Sequence, residues 1–379
     1  MKAGRVTARE RGSGMTTALP ASMPPAAESD GLSRAVARLV AEGRLVACLP
    51  VMAGGEGLGT GTTGESVLAT ADLLRTLGRR DLALARLFEG HVNAVKLIEL
   101  YAGPALREET RRRVHAGSLL GVWGATGADP LRVVTTDDDA WSLKGAKVFA
   151  SGLGLVDLAI VPVPDPGRDG ASRLLVIDVD DAARQHPQDW RASGMRSTRS
   201  GSYRFDGLRL PVCRVLGDPD VYGREPWFEG GVWRYVAAHV GGMEALVDAL
   251  VAELLARARE DDPHQRARIG QAAALALGGR TFVERAALDV ELADPADEVA
   301  VQRAVALALL ARESVESAAT ELLALVERAL GMAAFERGSP IERLRRDLGL
   351  YLRQAAPDAK LARAAATVIG SDQGIGTWW

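Results

Sequence analysis

The sequence predicts an α+β protein in three parts: a helical N-terminal domain, a central antiparallel β-barrel-like domain and a C-terminal helical bundle. Three observations carry this expectation. Apolar residues recur at helical spacing through the first third of the chain. Between Leu119 and Pro211 that spacing gives way to short apolar or alternating runs set apart by turn-formers. From about Phe228 the helical period returns and continues almost to the end. A chain of 379 residues, 47% apolar and 25% charged, is long enough to bury more than one core.

In chain order, residues 1–28 are rich in Gly, Pro, Ser and Thr and are expected to form a disordered tail, within which Met15 and Met23 are alternative starts. The N-terminal helical domain, 29–118, opens at the N-cap signal Ser29-Asp30, with Leu32, Val36, Leu39 and Val40 on one face. After a Gly-rich break at 54–64, helices are expected over Glu65–Leu77 and Leu82–Tyr101. The central β domain, 119–225, carries candidate strands at Leu119–Trp123, Arg132–Thr135, Trp141–Leu143, Lys147–Ser151, Leu158–Val163, Arg173–Asp178 and Ser202–Leu208. Stretches such as Ala128-Asp129-Pro130, Thr136–Asp139 and Pro164–Gly170 supply the turns. The C-terminal bundle, 226–379, reads as helices over Val240–Ala258, Gln265–Val290, Asp297–Leu330 and Ile341–Gln354, the two longest leaving room for a further break.

Charge and motif content exclude several function classes. With 46 Lys and Arg against 49 Asp and Glu, the formal charge of −3 excludes a strongly basic nucleic-acid binder and gives no reason to expect attachment to a membrane surface. No apolar run reaches the ~18 residues of a membrane helix. The start lacks the apolar core of a secretory signal, so a cytoplasmic location is expected. Cys48 and Cys213 cannot build a disulfide framework, and the five scattered histidines show no metal-ligand spacing, so no metal is expected. There is no Gly-x-Ser-x-Gly elbow. The stretch Gly54-Gly55-Glu56-Gly57-Leu58-Gly59-Thr60-Gly61 is followed by helix after helix rather than a βαβ unit, and it has no Walker lysine. It reads as a flexible turn.

Four segments, in order, resemble the acyl-CoA dehydrogenase family of flavoproteins. They are the Gly-rich turn after Pro50; Lys144-Gly145-Ala146-Lys147-Val148-Phe149-Ala150-Ser151; Gly194-Met195-Arg196-Ser197-Thr198 through Phe205–Pro211 to Val215-Leu216-Gly217; and Gly331–Phe335 followed by Pro340-Ile341-Glu342-Arg343 and Arg346-Asp347. The resemblance spans roughly residues 30–365. It implies FAD between the β domain and the C-terminal bundle, in a homotetramer or homodimer whose neighbouring subunits complete each site. It also implies the flavin contacts: Trp123 and Thr126 on the first flavin-facing strand, Phe149 packing on the ring, Ser151 near its reactive edge, and Arg328 and Gly331 where a neighbouring subunit meets the dinucleotide. The plain reading of Trp123 and Phe149 is aromatic core, of Ser151 a strand-end turn, and of Arg328 a solvated helix face.

Two elements of the family pattern are missing. The family's oxidation of an acyl thioester needs a carboxylate base, whose help is worth about 10²–10⁴-fold. The position matching the usual Glu is Ala355, and the position matching the minority placement is near Val232. The nearest acid is Glu229, flanked by Trp227 and Phe228, either a relocated base or an exposed acid at a helix start. The leading expectation is therefore FAD-dependent α,β-oxidation of an acyl thioester, carried by CoA or a protein, with a missing or relocated base. Relatives of the same fold without this Glu include monooxygenases that use O₂ and reduced flavin from a partner reductase. In that reading His91, on the helix Leu87–Leu100, is a candidate partner of a peroxyflavin or of substrate, with His239 a weaker one; both equally read as satisfied helix histidines. A third reading is a non-redox acyl-binding or partner subunit, with Thr377-Trp378-Trp379 as a docking element or a segment folded back on its own chain. The segment Arg257–Gln265 stands where the family carries an adenine-side Arg-x-x-Phe-Gly motif.

Overall fold

The computed structural model describes residues 28–137, 139–353 and 356–378, so residues 1–27 of the expected N-terminal tail and Ala355 lie outside the described residues, while Glu28 already belongs to the first helix. Among the described residues, five helices come first: α1 (Glu28–Ala41), the single turn α2 (Arg44–Ala47), α3 (Gly64–Arg80), α4 (Leu82–Tyr101) and α5 (Pro104–His115). Ten strands follow among these residues: β1 (Leu120–Val122), β2 (Arg132–Thr136), β3 (Ala140–Lys144), β4 (Ala146–Ala150), β5 (Leu158–Pro164), β6 (Ser172–Asp178), β7 (Gln185–His186), β8 (Gly201–Arg204), β9 (Arg209–Pro211) and β10 (Val215–Leu216). The chain returns to helix with α6 (Trp233–Ala256), α7 (Pro263–Leu292), α8 (Glu298–Leu330), α9 (Pro340–Tyr351) and α10 (Pro357–Ile369).

The mixed α and β organisation expected from sequence is present, while no closed sheet is found among the described residues. Within them the strands form three small sheets, ordered β1-β5-β6-β10, β2-β3-β9 and β4-β8-β7. Nor is the pairing wholly antiparallel, because β1 runs parallel to β5, Leu120 opposite Leu158. Both α7 and α8 run unbroken, so neither contains the break allowed for in sequence.

The core is continuous from α1 to Trp378. Its tightest crossing joins the N-terminal helices to the bundle. A Cβ on Gly78 of α3 would stand 2.2 Å from the Ala238 carbonyl oxygen of α6, and one on Gly241 would stand 2.0 Å from the Arg75 carbonyl oxygen. Only glycine permits backbones so close. Ion pairs Arg75–Glu244 at 2.5 Å and Arg79–Asp248 at 2.6 Å flank the crossing. Helix α6 with its preceding turn, Gly230–Ala256, is long and apolar enough to cross a membrane, which corrects the sequence expectation on that point. Here it is the central helix of the bundle, with Val236, Met243, Leu246 and Leu250 fully buried.

The Gly-rich stretch is a packed turn rather than a flexible one. Gly55, Gly57 and Gly59 donate to the carbonyls of Pro50, Leu49 and Cys48 at 2.8–3.1 Å. A Cβ on Gly55 would meet the Leu49 oxygen at 2.1 Å. Its amides are thus spent on its own chain and are not presented to a phosphate. Two of the motifs noted in sequence dock on each other: the Asp347 carboxylate of α9 accepts from the Met195 amide at 2.7 Å. Trp378 is 3% exposed and its carbonyl receives Arg285 of α7 at 3.5 Å, so this part of the C-terminal segment folds back on its own chain. Trp379 lies outside the described residues.

Candidate functional site

The segment after β1, which carries Thr126, lies against the end of β4, which carries Phe149 and leads to Ser151: the Val148 amide donates to the Ala125 carbonyl at 3.2 Å, and Thr126 and Phe149 are exposed on this open face. The pairing of β4 with β8 slips by one residue between Lys147 and Ala150, which sets a bulge at Val148-Phe149. Phe149 adopts φ +52, rare for an aromatic residue, and its ring is 62% exposed, held edge-on against Trp190 with centroids 5.9 Å apart. An aromatic ring exposed at such a bulge presents a flat apolar surface. Beside it, Thr126 is exposed and its hydroxyl accepts from the Lys147 ammonium at 3.3 Å. The same ammonium donates to the Gly124 carbonyl at 3.2 Å, and its burial lowers its pKa to about 8. Ser151 receives Ser200, itself joined to Thr198, in a hydroxyl chain with steps of 3.2 and 2.7 Å.

Trp123 has the other fate. It is 3% exposed, its indole donates to the Ser151 carbonyl at 3.0 Å, and it packs on Tyr203 in an aromatic row that continues to Phe205. It is core, and it holds Ser151 in place without facing the open surface.

Next to this face a pocket opens between α4, the start of α6 and the segment 221–232. Tyr222 lines it, and its hydroxyl stands 3.4 Å from where a Cβ on Gly124, two residues before Thr126, would be. The cavity volume is about 130 Å³. Its floor is a buried network of charges. Lys96 of α4 donates to Glu291 of α7 at 2.6 Å and to the Thr60 carbonyl at 2.8 Å, the latter offered by the packed Gly-rich turn. Arg234 of α6 pairs with the other oxygen of Glu291, which also accepts the Trp233 indole at 3.1 Å. Arg234 donates to Asn93 at 3.2 Å, and Glu89 takes hydrogen bonds from Asn93 and Arg86. Burial would raise the Glu291 carboxyl, but Arg234 and Lys96 hold it below its usual value. Burial lowers the Lys96 ammonium, with Glu291 opposing that and Arg234 adding to it.

The two predicted catalytic residues stand apart from this pocket. His91 is fully buried: Leu120 donates to its Nδ1 at 3.1 Å, so Nε2 carries the proton and donates to the Leu45 carbonyl at 3.1 Å. Both nitrogens are spent on tying α2, α4 and β1 together, and burial lowers the ring to about 4, against the help of the Leu45 carbonyl. His239 is likewise enclosed, between the rings of Tyr235 and Tyr351, its pKa brought down to about 3 by burial and then by Arg312. Glu229 does not line the pocket. It pairs with Arg363 of α10, and its amide donates to Glu225. The position expected for the minority base does fall on the pocket, and it holds Val232. Among the described residues the only carboxylate lining the pocket is Glu89.

Arg328 and Gly331 lie at the surface end of α8, where Gly331 at φ +62 ends the helix beside Met332, 91% exposed, and Phe335, 52% exposed. The floor residues Glu89, Lys96, Arg234 and Glu291 escaped sequence reasoning because charged side chains on helices read as solvated faces. One signal was available. Lys96 and Glu89 lie in a helix, Leu82–Tyr101, with fourteen of its twenty residues buried, a pattern that takes part of its charge into the core.

No family model matches the chain. Over 164 residues it is 28% identical to a dibenzothiophene monooxygenase of Rhodococcus erythropolis, covering 40% of this chain and 38% of that one. Over 175 residues it is 25% identical to the mitochondrial very long-chain specific acyl-CoA dehydrogenase of Mus musculus, covering 42% and 27%. The matched stretch thus spans well under half the length of these curated relatives. Its fold is that of FMN-bound TdsC from Paenibacillus sp. A11-2, with a TM-score of 0.74 at 19% identity over 89% of this chain and 95% of that one.

Proposed function

We propose that this chain, a member of the acyl-CoA dehydrogenase family, is a flavin-dependent monooxygenase using O₂ and reduced FMN on a small substrate held in the α4–α6 pocket. One observation carries the choice over thioester oxidation: the described residues offer that pocket no free carboxylate. Val232 stands at the minority base position, Glu229 is turned to Arg363, and Glu89 is taken by Arg86 and Asn93. Removal of a weakly acidic C–H proton would have no positioned acceptor there.

The residues of the open face suit a flavin. The exposed ring of Phe149 offers an apolar surface, and Thr126 and Ser151 offer hydroxyls at its edge. Lys147 keeps the 124–126 backbone in shape. Bound there, a reduced flavin supplies the electrons that activate O₂. The protein's part is to bind and orient the substrate beside that face, with Tyr222 lining the pocket, and to keep water from the charged floor. FMN rather than FAD is favoured by the short 257–262 link between α6 and α7, where the family's adenine-side motif is missing, and by the FMN named for the TdsC structure. Arg328 and Gly331, among exposed apolar side chains, suit a contact between copies in a homo-oligomer.

The test is oxygen transfer. With FMN kept reduced by a separate reductase under ¹⁸O₂, substrate should gain ¹⁸O, and FMN should bind at least tenfold tighter than FAD. O₂ uptake without labelled product from any substrate in a broad panel, or a preference for FAD, would overturn the reading.

A further inference from the structure

Resting on the monooxygenase reading of the same pocket, we infer that its substrate is a small aromatic acid: a single ring carrying a carboxylate or comparable anion. The ring is argued from the walls. Tyr101, Tyr222, Trp227, Phe228 and Tyr235 all line the cavity, in a chain only 5% aromatic. Tyr222 and Phe228 meet edge to face with centroids 4.9 Å apart, the arrangement a third ring can extend. The size is argued from the volume. About 130 Å³ is close to the ~150 Å³ of an engineered apolar cavity that holds benzene, so one ring fits.

The charge is argued from the pairing. Lys96, Arg234, Arg224 and Glu89 line the pocket, while Arg86 and Glu291 stand directly behind it. Each carboxylate is engaged by at least two partners, whereas Arg224 meets no carboxylate at ion-pair distance among the described residues and rests over the Tyr101 ring at 5.9 Å. Four cations against two anions leave the pocket positive, with the uncommitted guanidinium on the solvent-exposed side of the lining. An anion paired there in fork geometry completes the set, and an amine would be repelled. The ring then lies inward among the aromatics and the acid group outward on Arg224.

The experiment is calorimetric titration of the full-length protein, saturated with FMN, with benzoate, benzamide and benzylamine. Benzoate should bind at least tenfold tighter than benzamide, equivalent to about 1.4 kcal/mol, and benzylamine should not bind. Arg224→Gln, at an exposed position that should leave thermal unfolding unchanged, should bring benzoate down to benzamide, whereas Trp227→Leu should weaken both alike. Benzamide equal to or tighter than benzoate, no binding by any of the three, or Arg224→Gln without effect on benzoate would each overturn the inference. FMN binding is titrated separately. Its failure, with benzoate preference intact in the flavin-free protein, would sink the flavin reading and leave the substrate class standing.

Discussion

Replacing Glu291 by Gln probes the charge network under the pocket. The side chains of Glu291, Lys96 and Arg234 are 2%, 7% and 4% exposed, and the single carboxylate takes hydrogen bonds from both cations and from the Trp233 indole. Gln keeps the shape but leaves two buried cations without their counter-charge. Breaking a buried pair from one side costs about 3–5 kcal/mol, a large part of a typical folding stability of about 5–15 kcal/mol. For a chain of 379 residues unfolding as one unit, an unfolding entropy of about 2.1 cal/mol/K per residue gives roughly 0.8 kcal/mol/K, so a loss of about 4 kcal/mol lowers Tm by about 5 °C. The pH dependence has a definite sign. The folded-state pKa of Glu291 lies below its ordinary 4.5, so its contribution is present above that pH and is lost as pH falls through the folded value. Thermal unfolding followed by circular dichroism at pH 7 and in acid measures both. A Tm within 1 °C of wild type at pH 7 would refute the idea that Glu291 carries the network.

Phe149→Ala should leave Tm within 1–2 °C, since the ring is largely exposed, yet weaken FMN binding at least tenfold in a fluorescence titration; unchanged FMN affinity would remove Phe149 from the flavin face. His91→Ala leaves the Leu120 amide and Leu45 carbonyl unpartnered in the core and should cost on the order of 2–5 kcal/mol in denaturant unfolding, with FMN affinity unchanged. Because His91 is depressed from 6.5 to about 4, the unfolded chain binds the proton first, and roughly 3 kcal/mol of stability should drain away as pH falls from about 6.5 to 4. Its absence from the wild-type profile, relative to a His91→Gln control, would contradict the buried neutral ring. Glu229→Gln, which loosens a half-exposed pair with Arg363, should change turnover less than twofold and stability by less than about 1 kcal/mol.

Much of this architecture is legible in local pattern. The expected Leu82–Tyr101 coincides with α4, and six of the seven expected strand runs match single observed strands to within two residues at either end. What local pattern misses has a physical reason in each case. Helix α5 buries only Leu106, Thr110 and Val114 under a heavily charged surface, and α10 buries only Ala364 completely, so neither shows a full apolar stripe. Strands β7 and β10 are two residues long, too short for an alternation to register. Sheet order and the parallel β1–β5 pairing depend on contacts between distant segments. Phe149 stands in β4 and Ser151 directly after it, within the run expected as a strand, because alternation along a strand is a local signal. Local signals could not show Trp123 turned inward, His91 saturated or Glu229 paired with Arg363, since each outcome is decided by a partner 28 to 134 residues away.

The most direct measurement is an anaerobic absorbance titration of the flavin-loaded protein with a series of acyl thioesters. The flavin should stay oxidised with all of them, since the described residues offer the pocket no free carboxylate to take the proton, and should change only when reduced flavin and O₂ are supplied together. Bleaching of the flavin by any one acyl thioester under argon would contradict the monooxygenase assignment and restore the dehydrogenase reading.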